Sequence, residues 1–191
     1  MNERQKTPPS PPGQAPAVAA RPPGYPAELE QTSTLRDGRA VFVRPVIPAD
    51  ALALEREWRD ADAETLYQRF FTPRPRLDAR RLHAFVHVDY QWRLALVAFA
   101  ADTRAVGIVR YEGAPGQEHA EIAIVINPAW RRVGLASTLL RLLAEAARAR
   151  GLRRLTALYL QDNQAMAALL AKAGFIPPRV SAGVAATEKA V

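Results

Sequence analysis

The clearest hydrophobic pattern in the chain begins at Leu135, where apolar residues recur at the spacing of one helix face. The apolar positions of this face are Leu135, Leu139, Leu142, Leu143 and Ala146. Arg148 and Arg150 suit the negative end of a helix dipole, and Gly151 is typical of the position after a helix. The pattern therefore predicts an amphipathic helix that ends before Gly151.

Shorter elements surround this helix. Three strand-like segments precede it, at residues 92–101, 105–112 and 118–126. A hairpin over 35–43 that turns at Asp37-Gly38 is predicted earlier, with helices opening at Pro48, near 66–71 and over 78–88. A strand over 155–160 and a helix over 163–173 are predicted later. The order predicts a mixed α/β (α+β) domain with a central antiparallel meander.

Proline sets the N-terminal stretch apart. Half of the 16 prolines lie between Pro8 and Pro26, mixed with Ala, Gly and Gln, a composition that cannot bury a core. We expect a disordered tail over residues 1–31 and one folded domain over residues 32–178. The pattern of residues 179–191 predicts a tail or one short final strand.

Composition narrows the class of protein. The 191 residues include no cysteine, which excludes a disulfide scaffold and a cysteine nucleophile and fits a reducing cytoplasm. The N-terminus lacks the apolar core of a signal peptide, and the longest apolar run, 94–101, is far shorter than the roughly 20 residues that span a bilayer. These features predict a cytoplasmic location and no membrane partner.

The chain is basic, with 26 Lys and Arg against 19 Asp and Glu and a net charge of +7. Such a charge favours nucleic acid, anionic lipid or a phosphorylated ligand, although a general bias toward arginine is the simpler explanation. The basic residues are not interleaved with aromatic ones, so a nucleic-acid partner is not expected.

The loop between the third strand-like segment and the long helix carries the most specific signal. Gly134 and Ala136 allow a ligand to approach the backbone closely, and the first amides of the helix have no intrahelical partner. Together with the positive end of the helix dipole, these amides form an anion site suited to a diphosphate.

Three motifs resemble the GNAT acetyltransferase superfamily. Arg131-x-x-Gly134-x-Ala136 resembles its pyrophosphate loop, and Arg44-Pro45 with Pro48-Ala49-Asp50 resembles its first strand and helix. Asn163-Gln164-Ala165-Met166, followed by Gly174-Phe175, resembles its closing helix. The resemblance covers residues 35–176 and implies the GNAT fold, a mixed, mostly antiparallel sheet flanked by helices whose splayed strands hold acetyl-CoA. No metal is implied.

The resemblance also implies which residues contact acetyl-CoA. They are Ile124, Val125, Ile126, Arg131, Arg132, Val133, Gly134, Leu135, Ala136, Ser137, Asn163 and Met166. Capping of a helix is an alternative role for Asn163 and for Ser137. A backbone amide near Val125 is the expected donor to the thioester carbonyl.

Glu121 is the candidate catalytic residue. Alternation along the strand places it on one face with Ala123 and Val125, opposite a face of isoleucines that packs on the core. It precedes Arg131 by ten residues, as the catalytic glutamate does in GNAT lysine acetyltransferases. A carboxylate with a raised pKa accepts the proton that an ammonium, with a pKa of about 10.4, must lose before attack. An ion pair with a nearby arginine is the structural alternative, and Glu118 and His119 are weaker candidates.

The position at which many family members carry a tyrosine acid holds Leu170 here. A thiol with a pKa of about 8.5 leaves largely unaided, so the reaction does not need that tyrosine. Tyr159 is an alternative general acid for the leaving thiolate, although a role as a packed strand residue is favoured for it.

A narrower resemblance is to single-domain bacterial protein-lysine acetyltransferases of the Pat type. It is carried by Leu35-Arg36-Asp37-Gly38, by residues 67–73 and 88–90, and by Ala120-Glu121-Ile122-Ala123. It implies acetylation of a protein with an exposed lysine, for example an acyl-CoA synthetase. The alternatives are acetylation of a small amine, which an enclosed acidic pocket would favour, and a non-catalytic acyl-CoA-binding module. Monomer and homodimer both stay open.

Other features carry weaker hypotheses. His83 and His87 have the i, i+4 spacing of a zinc pair but no third ligand, so ordinary histidines are favoured. Four arginines form a basic patch that suits either an acidic protein surface or solvent: Arg74, Arg76, Arg80 and Arg81. The chain has three lysines, and any autoacetylation is expected on Lys6 or Lys189, in the predicted tails, rather than on Lys172.

Overall fold

The structure is a computed structural model that describes residues 21–71 and 78–191. The strands are β1 (Gln31–Thr34), β2 (Ala40–Pro45), β3 (Arg93–Phe99), β4 (Ala105–Gly113), β5 (His119–Ile126), β6 (Arg154–Leu160), β7 (Arg179–Ser181) and β8 (Val184–Ala190). The helices are α1 (Ala51–Asp60), α2 (Ala63–Phe70), α3 (Ala79–Val86), α4 (Leu135–Ala149) and α5 (Gln164–Lys172). No helix in the described part of the chain is long and apolar enough to cross a membrane.

The strands form one sheet in the order β1-β2-β3-β4-β5-β6-β8-β7. Every neighbouring pair is antiparallel except β5 and β6, which are parallel and are connected through α4. The predicted mixed, mostly antiparallel sheet flanked by helices is therefore confirmed. A parallel pair needs a crossover of this kind, because its two strands start at the same edge of the sheet.

Alternation along β3 shows how the helices divide between the two faces of the sheet. Ala95 and Val97 belong to a smaller core with Leu54 of α1 and Val86 of α3. The even-numbered residues of β3 belong to the main core, which includes the apolar side of α4 and Leu170 of α5. One face of the sheet thus carries α1 and α3, and the other carries α4 and α5.

A buried ion pair fixes the passage from β2 into α1. The Arg44 guanidinium donates two hydrogen bonds to the Asp50 carboxylate, at 2.8 and 2.6 Å, and lies over the Phe99 ring. Asp50 also accepts the N–H of Ile47 at 2.8 Å. The motif predicted at the first strand and helix therefore has a structural role.

The folded region begins earlier than the sequence predicts. The Tyr25 ring packs edge-on against Tyr90, with centroids 5.7 Å apart, and its hydroxyl donates to Glu30 at 2.8 Å. Glu28 lies 3.6 Å from Arg150. These contacts hold the end of the proline-rich segment against the domain, and composition alone did not predict them. Residues 1–20 of the predicted tail lie outside the described residues.

The C-terminal residues form a hairpin rather than a tail or one short strand. β8 pairs with β6 along its whole length, and β7 pairs with the first three residues of β8. The turn between them, Ala182-Gly183, has positive φ at both residues, 48° and 79°, as a two-residue hairpin requires. The alanine-rich composition concealed this hairpin because small residues alternate weakly.

Lys189 consequently belongs to the sheet and not to a tail. It lies on β8, is partly buried, and donates from Nζ to the carbonyl of Ala173 at 2.6 Å, at the C-terminal end of α5. The exposed Lys172 is the more accessible amine of the two. Lys6 lies outside the described residues. The sequence analysis ranked Lys189 above Lys172 as an acetylation site because it placed Lys189 in a tail, and the structure does not support that placement.

Candidate active site

β5 and β6 run side by side only over their first halves. Their parallel pairing ends with Ile122 and Ala157. Beyond this pair β5 stays hydrogen-bonded to β4 as far as Ile126, while β6 continues with β8 as far as Leu160. The two strands therefore part, and a cleft opens between them within the sheet.

Backbone groups in the second half of β5 face this cleft. The N–H of Asn127 donates to the carbonyl of Val106 at 3.0 Å, toward β4. Because hydrogen-bonding directions alternate along a strand, the N–H of Val125 also points to β4, and those of Ile124 and Ile126 point to the β6 side. Of the amides near Val125, where the donor to the thioester is predicted, these two therefore face the cleft, and they lie beyond the last β5–β6 pair.

Glu121 lies one residue before the point where the strands part. Its side chain is exposed, and within the described residues it forms neither a hydrogen bond nor an ion pair. The next residue on the same face, Ala123, is small and leaves room beside the carboxylate. The ion pair that the sequence offered as an alternative role is not formed with any arginine that the structure describes.

The neighbouring carboxylate on β4 is differently placed. Glu112 occupies the register position opposite Glu121, but it accepts a hydrogen bond from Arg110 at 2.8 Å. The Arg110 guanidinium lies 4.5 Å from the centroid of the Phe85 ring. Burial lowers the pKa of this guanidinium, and the charge of Glu112 opposes that change. Glu112 is thus a paired carboxylate, whereas Glu121 has no partner among the described residues.

The two weaker candidates lie at the far end of the strand. Glu118 precedes β5 and forms an exposed ion pair with Arg153 at 3.1 Å. His119 begins β5 and is exposed on the same face as Glu121. Both residues are farther than Glu121 from the cleft between the strands, as the alternation predicts.

The loop after β5 leads into the N-terminus of α4 through a left-handed backbone. φ is 64° at Arg132 and 94° at Gly134, and the second value is one that glycine adopts readily. No side chain caps α4 at Gly134, and its first turn contains no acidic residue. The helix therefore presents unpaired amides and the positive end of its dipole, and these groups fit the phosphates of acetyl-CoA.

The side chain of Arg131 turns away from this helix end. Its Nη2 donates to Thr65 Oγ1 of α2 at 2.6 Å, and its Nε donates to the Ile126 carbonyl at 3.4 Å. Arg132 is exposed, and Ser137 lies partly buried in the first turn of α4. The structure thus keeps Arg131 at the loop through its backbone, while its guanidinium joins β5 to α2.

The predicted residues of α5 have visible structural roles. Asn163 caps the helix, because its Oδ1 accepts the N–H of Met166 at 2.9 Å. Met166 packs against the main core. Leu170 and Tyr159 are both buried, in keeping with a core position for each. Contact of Asn163 and Met166 with acetyl-CoA stays a prediction.

A hollow of about 470 Å³, part of it open to solvent, lies between α1, α2 and the adjoining ends of β4 and β5. Its walls are mostly apolar and include Leu54, Trp58 and Val125. The acidic wall residue, Glu57, accepts a hydrogen bond from Asn127 Nδ2 at 3.0 Å. This hollow is therefore not the enclosed acidic pocket that the small-amine alternative predicts.

Within residues 21–71 and 78–191, the remaining motifs form no second site. The rings of His83 and His87 stack with centroids 3.6 Å apart on an exposed side of α3. The part of the chain that the structure describes contains no group of three acidic or histidine residues that could hold a metal ion. Arg80 and Arg81 are exposed on α3, and Arg74 and Arg76 lie outside the described residues.

Two elements hold this loop through contacts that the sequence did not predict. One is α2, which supplies Thr65 to Arg131. The other is the β1–β2 hairpin, where Arg39 donates to the carbonyl of Ala129, a residue 90 positions later. No local sequence pattern predicts a contact between residues so far apart as Arg39 and Ala129. Only the order of the strands in the sheet could have indicated it.

Comparison with known proteins agrees with this arrangement. The family described as the GNAT acetyltransferase domain matches residues 40–176. An acetyltransferase of Pseudomonas aeruginosa is 29% identical over 149 residues, covering 76% of this chain and 80% of that protein.

Two relatives carry the name Pat. Acetyltransferase Pat of Mycolicibacterium smegmatis is 31% identical over 161 residues, and the match covers 81% of this chain but only 46% of that longer protein. The crystal structure of the GNAT domain of S. lividans PAT superposes with a TM-score of 0.82 at 35% identity, covering 87% of this chain and 99% of that domain. With the family match over residues 40–176 and the shared fold, the chain belongs to the GNAT acetyltransferases.

Proposed function

We propose that this GNAT acetyltransferase moves the acetyl group of acetyl-CoA to the ε-amino group of protein lysines, with Glu121 as general base. The observation that carries the proposal is the position of Glu121, exposed and unpaired among the described residues, where β5 and β6 part. The similarity to two proteins named Pat and the resemblance to Pat-type lysine acetyltransferases support the choice of acceptor.

Glu121 removes the proton that keeps the acceptor amine from attacking. At neutral pH a lysine side chain is an ammonium, with a pKa of about 10.4, and has no lone pair for the thioester carbonyl. The Glu121 carboxylate accepts this proton directly or through one water molecule. Glu112 is bound to Arg110 and is not a substitute for this role.

Backbone groups of β5 stabilise the charge that develops next. Acetyl-CoA supplies the acetyl group as a thioester. One of the two N–H groups that face the cleft, those of Ile124 and Ile126, donates to the carbonyl oxygen as it gains negative charge. A thiol is acidic enough to depart as thiolate, so the buried Leu170 at the usual acid position does not prevent turnover.

An exposed base suits a macromolecular acceptor. Glu121 and its register neighbour Glu112 lie side by side and are both exposed to solvent. An ammonium on a long, flexible side chain reaches such a surface, and the Glu121 carboxylate, unpaired among the described residues, attracts it. If the resemblance extends to targets, an acyl-CoA synthetase with an exposed lysine is the substrate to examine first.

The test compares Glu121→Gln with the unchanged protein on a purified acyl-CoA synthetase and on a panel of small amines. The rate of protein acetylation is expected to fall by about 10²–10⁴, the range for loss of a general base. Affinity for acetyl-CoA, measured by calorimetry, is expected to stay unchanged. Glu118→Gln is the matched control, because it removes the same charge three residues earlier.

The outcomes separate the alternatives. Acetylation of the small amines alone would contradict the choice of a protein acceptor and leave the fold assignment intact. Equal rates for Glu121→Gln and the unchanged protein would remove Glu121 as the base. Binding of acetyl-CoA without transfer to any acceptor would support the non-catalytic alternative instead.

A further inference from the structure

The hairpin formed by β1 and β2 is fixed to the loop that precedes α4. The N–H of Arg36, in the hairpin turn, donates to the carbonyl of Val133 at 3.1 Å. Arg39 donates to the carbonyl of Ala129, and its guanidinium lies 3.9 Å from the centroid of the Trp130 ring. Contacts at both ends of the loop therefore set the position of the hairpin turn relative to the first turn of α4.

This arrangement lays the Arg36 side chain against Gly134. A Cβ atom placed on Gly134 would lie 3.5 Å from Cγ and from Nε of Arg36, in ordinary van der Waals contact. The Arg36 side chain thus lies beside the N-cap residue of α4. A hairpin some 100 positions earlier in the chain supplies this cation, and the loop itself does not.

The charge of Arg36 is not neutralised within the described residues. Its side chain is exposed, and neither a carboxylate nor another described group accepts a hydrogen bond from its guanidinium. The neighbouring arginines differ, because Arg39 is bound to Asp37 at 2.6 Å and Arg131 to Thr65. An unpaired cation beside the positive end of a helix is repelled unless an anion lies between them.

We propose that Arg36 binds the diphosphate of acetyl-CoA from the hairpin side, opposite the amides of α4. This inference rests on the proposed use of acetyl-CoA and adds a residue outside the loop motif. A guanidinium makes two parallel hydrogen bonds to a phosphate, which the single amides of the helix end do not provide. Arg36 then supplies the side-chain contact that Arg131, turned toward α2, does not.

The test measures binding and not turnover. Calorimetry on the full chain compares coenzyme A, 3′-dephospho-coenzyme A and pantetheine, which differ in their phosphates. Arg36→Gln is expected to weaken binding of both phosphorylated ligands by about tenfold and to leave pantetheine unchanged. Arg36→Lys keeps the charge without the paired donors. Its affinity for the two phosphorylated ligands is expected to lie between that of Arg36→Gln and that of the unchanged protein. Arg148→Gln, at the far end of α4, is the matched charge control.

The results divide as follows. Equal affinity of Arg36→Gln and Arg148→Gln for coenzyme A would overturn the proposal. A loss confined to coenzyme A, with none for the 3′-dephospho form, would place Arg36 at the 3′-phosphate and also overturn it. Failure of the unchanged protein to bind any of the three would refute the use of acetyl-CoA itself. Thermal unfolding of each variant confirms that it is folded.

Discussion

Arg131 is held at the end of β5 by a short relay of side-chain hydrogen bonds. Its guanidinium donates to the Thr65 hydroxyl, and that hydroxyl donates in turn to the Asp62 carboxylate at 2.6 Å. Asp62 also accepts the N–H of Thr65 at 2.6 Å and so caps α2. These hydrogen bonds from Thr65 lower the pKa of Asp62, and the charge of Arg131 acts in the same direction.

Replacement of Asp62 by Ala is expected to destabilise the protein by about 1 kcal/mol, the usual effect of losing an N-cap. Because the pKa of Asp62 is lowered in the folded state, its ionised form stabilises the fold at neutral pH. That contribution disappears as the pH falls through the lowered pKa. Thermal unfolding between neutral and acidic pH should therefore show a difference between Asp62→Ala and the unchanged protein that shrinks toward low pH.

Asp62→Asn is the control for this relay. Asparagine also caps helices well, so its stability at neutral pH should lie close to that of the unchanged protein. A difference between Asp62→Ala and the unchanged protein that stays constant across the titration would contradict a role for the ionised carboxylate.

At the scale of elements, the sequence predicted what local patterns specify. α4 begins at Leu135 as its apolar repeat requires, and β5 ends at Ile126, where the predicted segment 118–126 also ends. The direction of the backbone amides in β5 could not be predicted from the sequence. Alternation divides the N–H groups into an odd-numbered and an even-numbered set, but it does not say which set donates to β4. The hydrogen bond from the Asn127 N–H to the Val106 carbonyl decides between them, and it leaves the amides of Ile124 and Ile126, the neighbours of Val125, facing the cleft.

The contact between β4 and α4 is close enough to exclude a side chain. A Cβ on Gly107 would lie 2.9 Å from Cδ1 of Ile126 and 3.2 Å from methyl groups of Leu135 and Leu139. Gly107 therefore allows the helix that carries the anion site to lie directly on the strand next to β5.

Gly107→Ala is expected to lower the free energy of unfolding by about 1–2 kcal/mol, because the added methyl group overpacks this contact. Ile126→Val removes the Cδ1 atom that lies closest, so the double variant should lose less stability than the sum of the two single changes. Chemical denaturation of the four proteins measures this coupling. Strict additivity would show that Gly107 and Ile126 do not compete for the same space.

At the scale of the whole molecule, sequence reasoning failed where distant segments meet. The hairpin turn at Asp37-Gly38 was predicted from its own residues, yet its contact with the loop at Val133 was not. Likewise the C-terminal residues looked weakly patterned by themselves. β8 forms seven register pairs with β6. Its strand conformation therefore depends on this distant partner, which local propensity does not reveal.

β6 depends on β8 as β8 depends on β6, and this mutual pairing predicts the effect of removing residues 179–191. β6 would lose its partner on one side and become an edge strand, and the main core would lose Ala185. The carbonyls of Ile176 and Ala173 would lose their donors, Thr187 and Lys189.

The truncated chain is therefore expected to unfold at least about 10 °C below the full chain and to aggregate, as thermal unfolding and size-exclusion chromatography would show. Thr187→Val with Lys189→Met keeps the strand and removes only the two side-chain donors, so it should cost about 1–3 kcal/mol. A truncated chain that keeps the oligomeric state and the Tm of the full chain would mean that β8 does not stabilise the sheet. Truncation is expected to lower the stability more than the double variant does. Such a difference would show that strand pairing, and not the two side-chain donors, supplies most of the stabilisation.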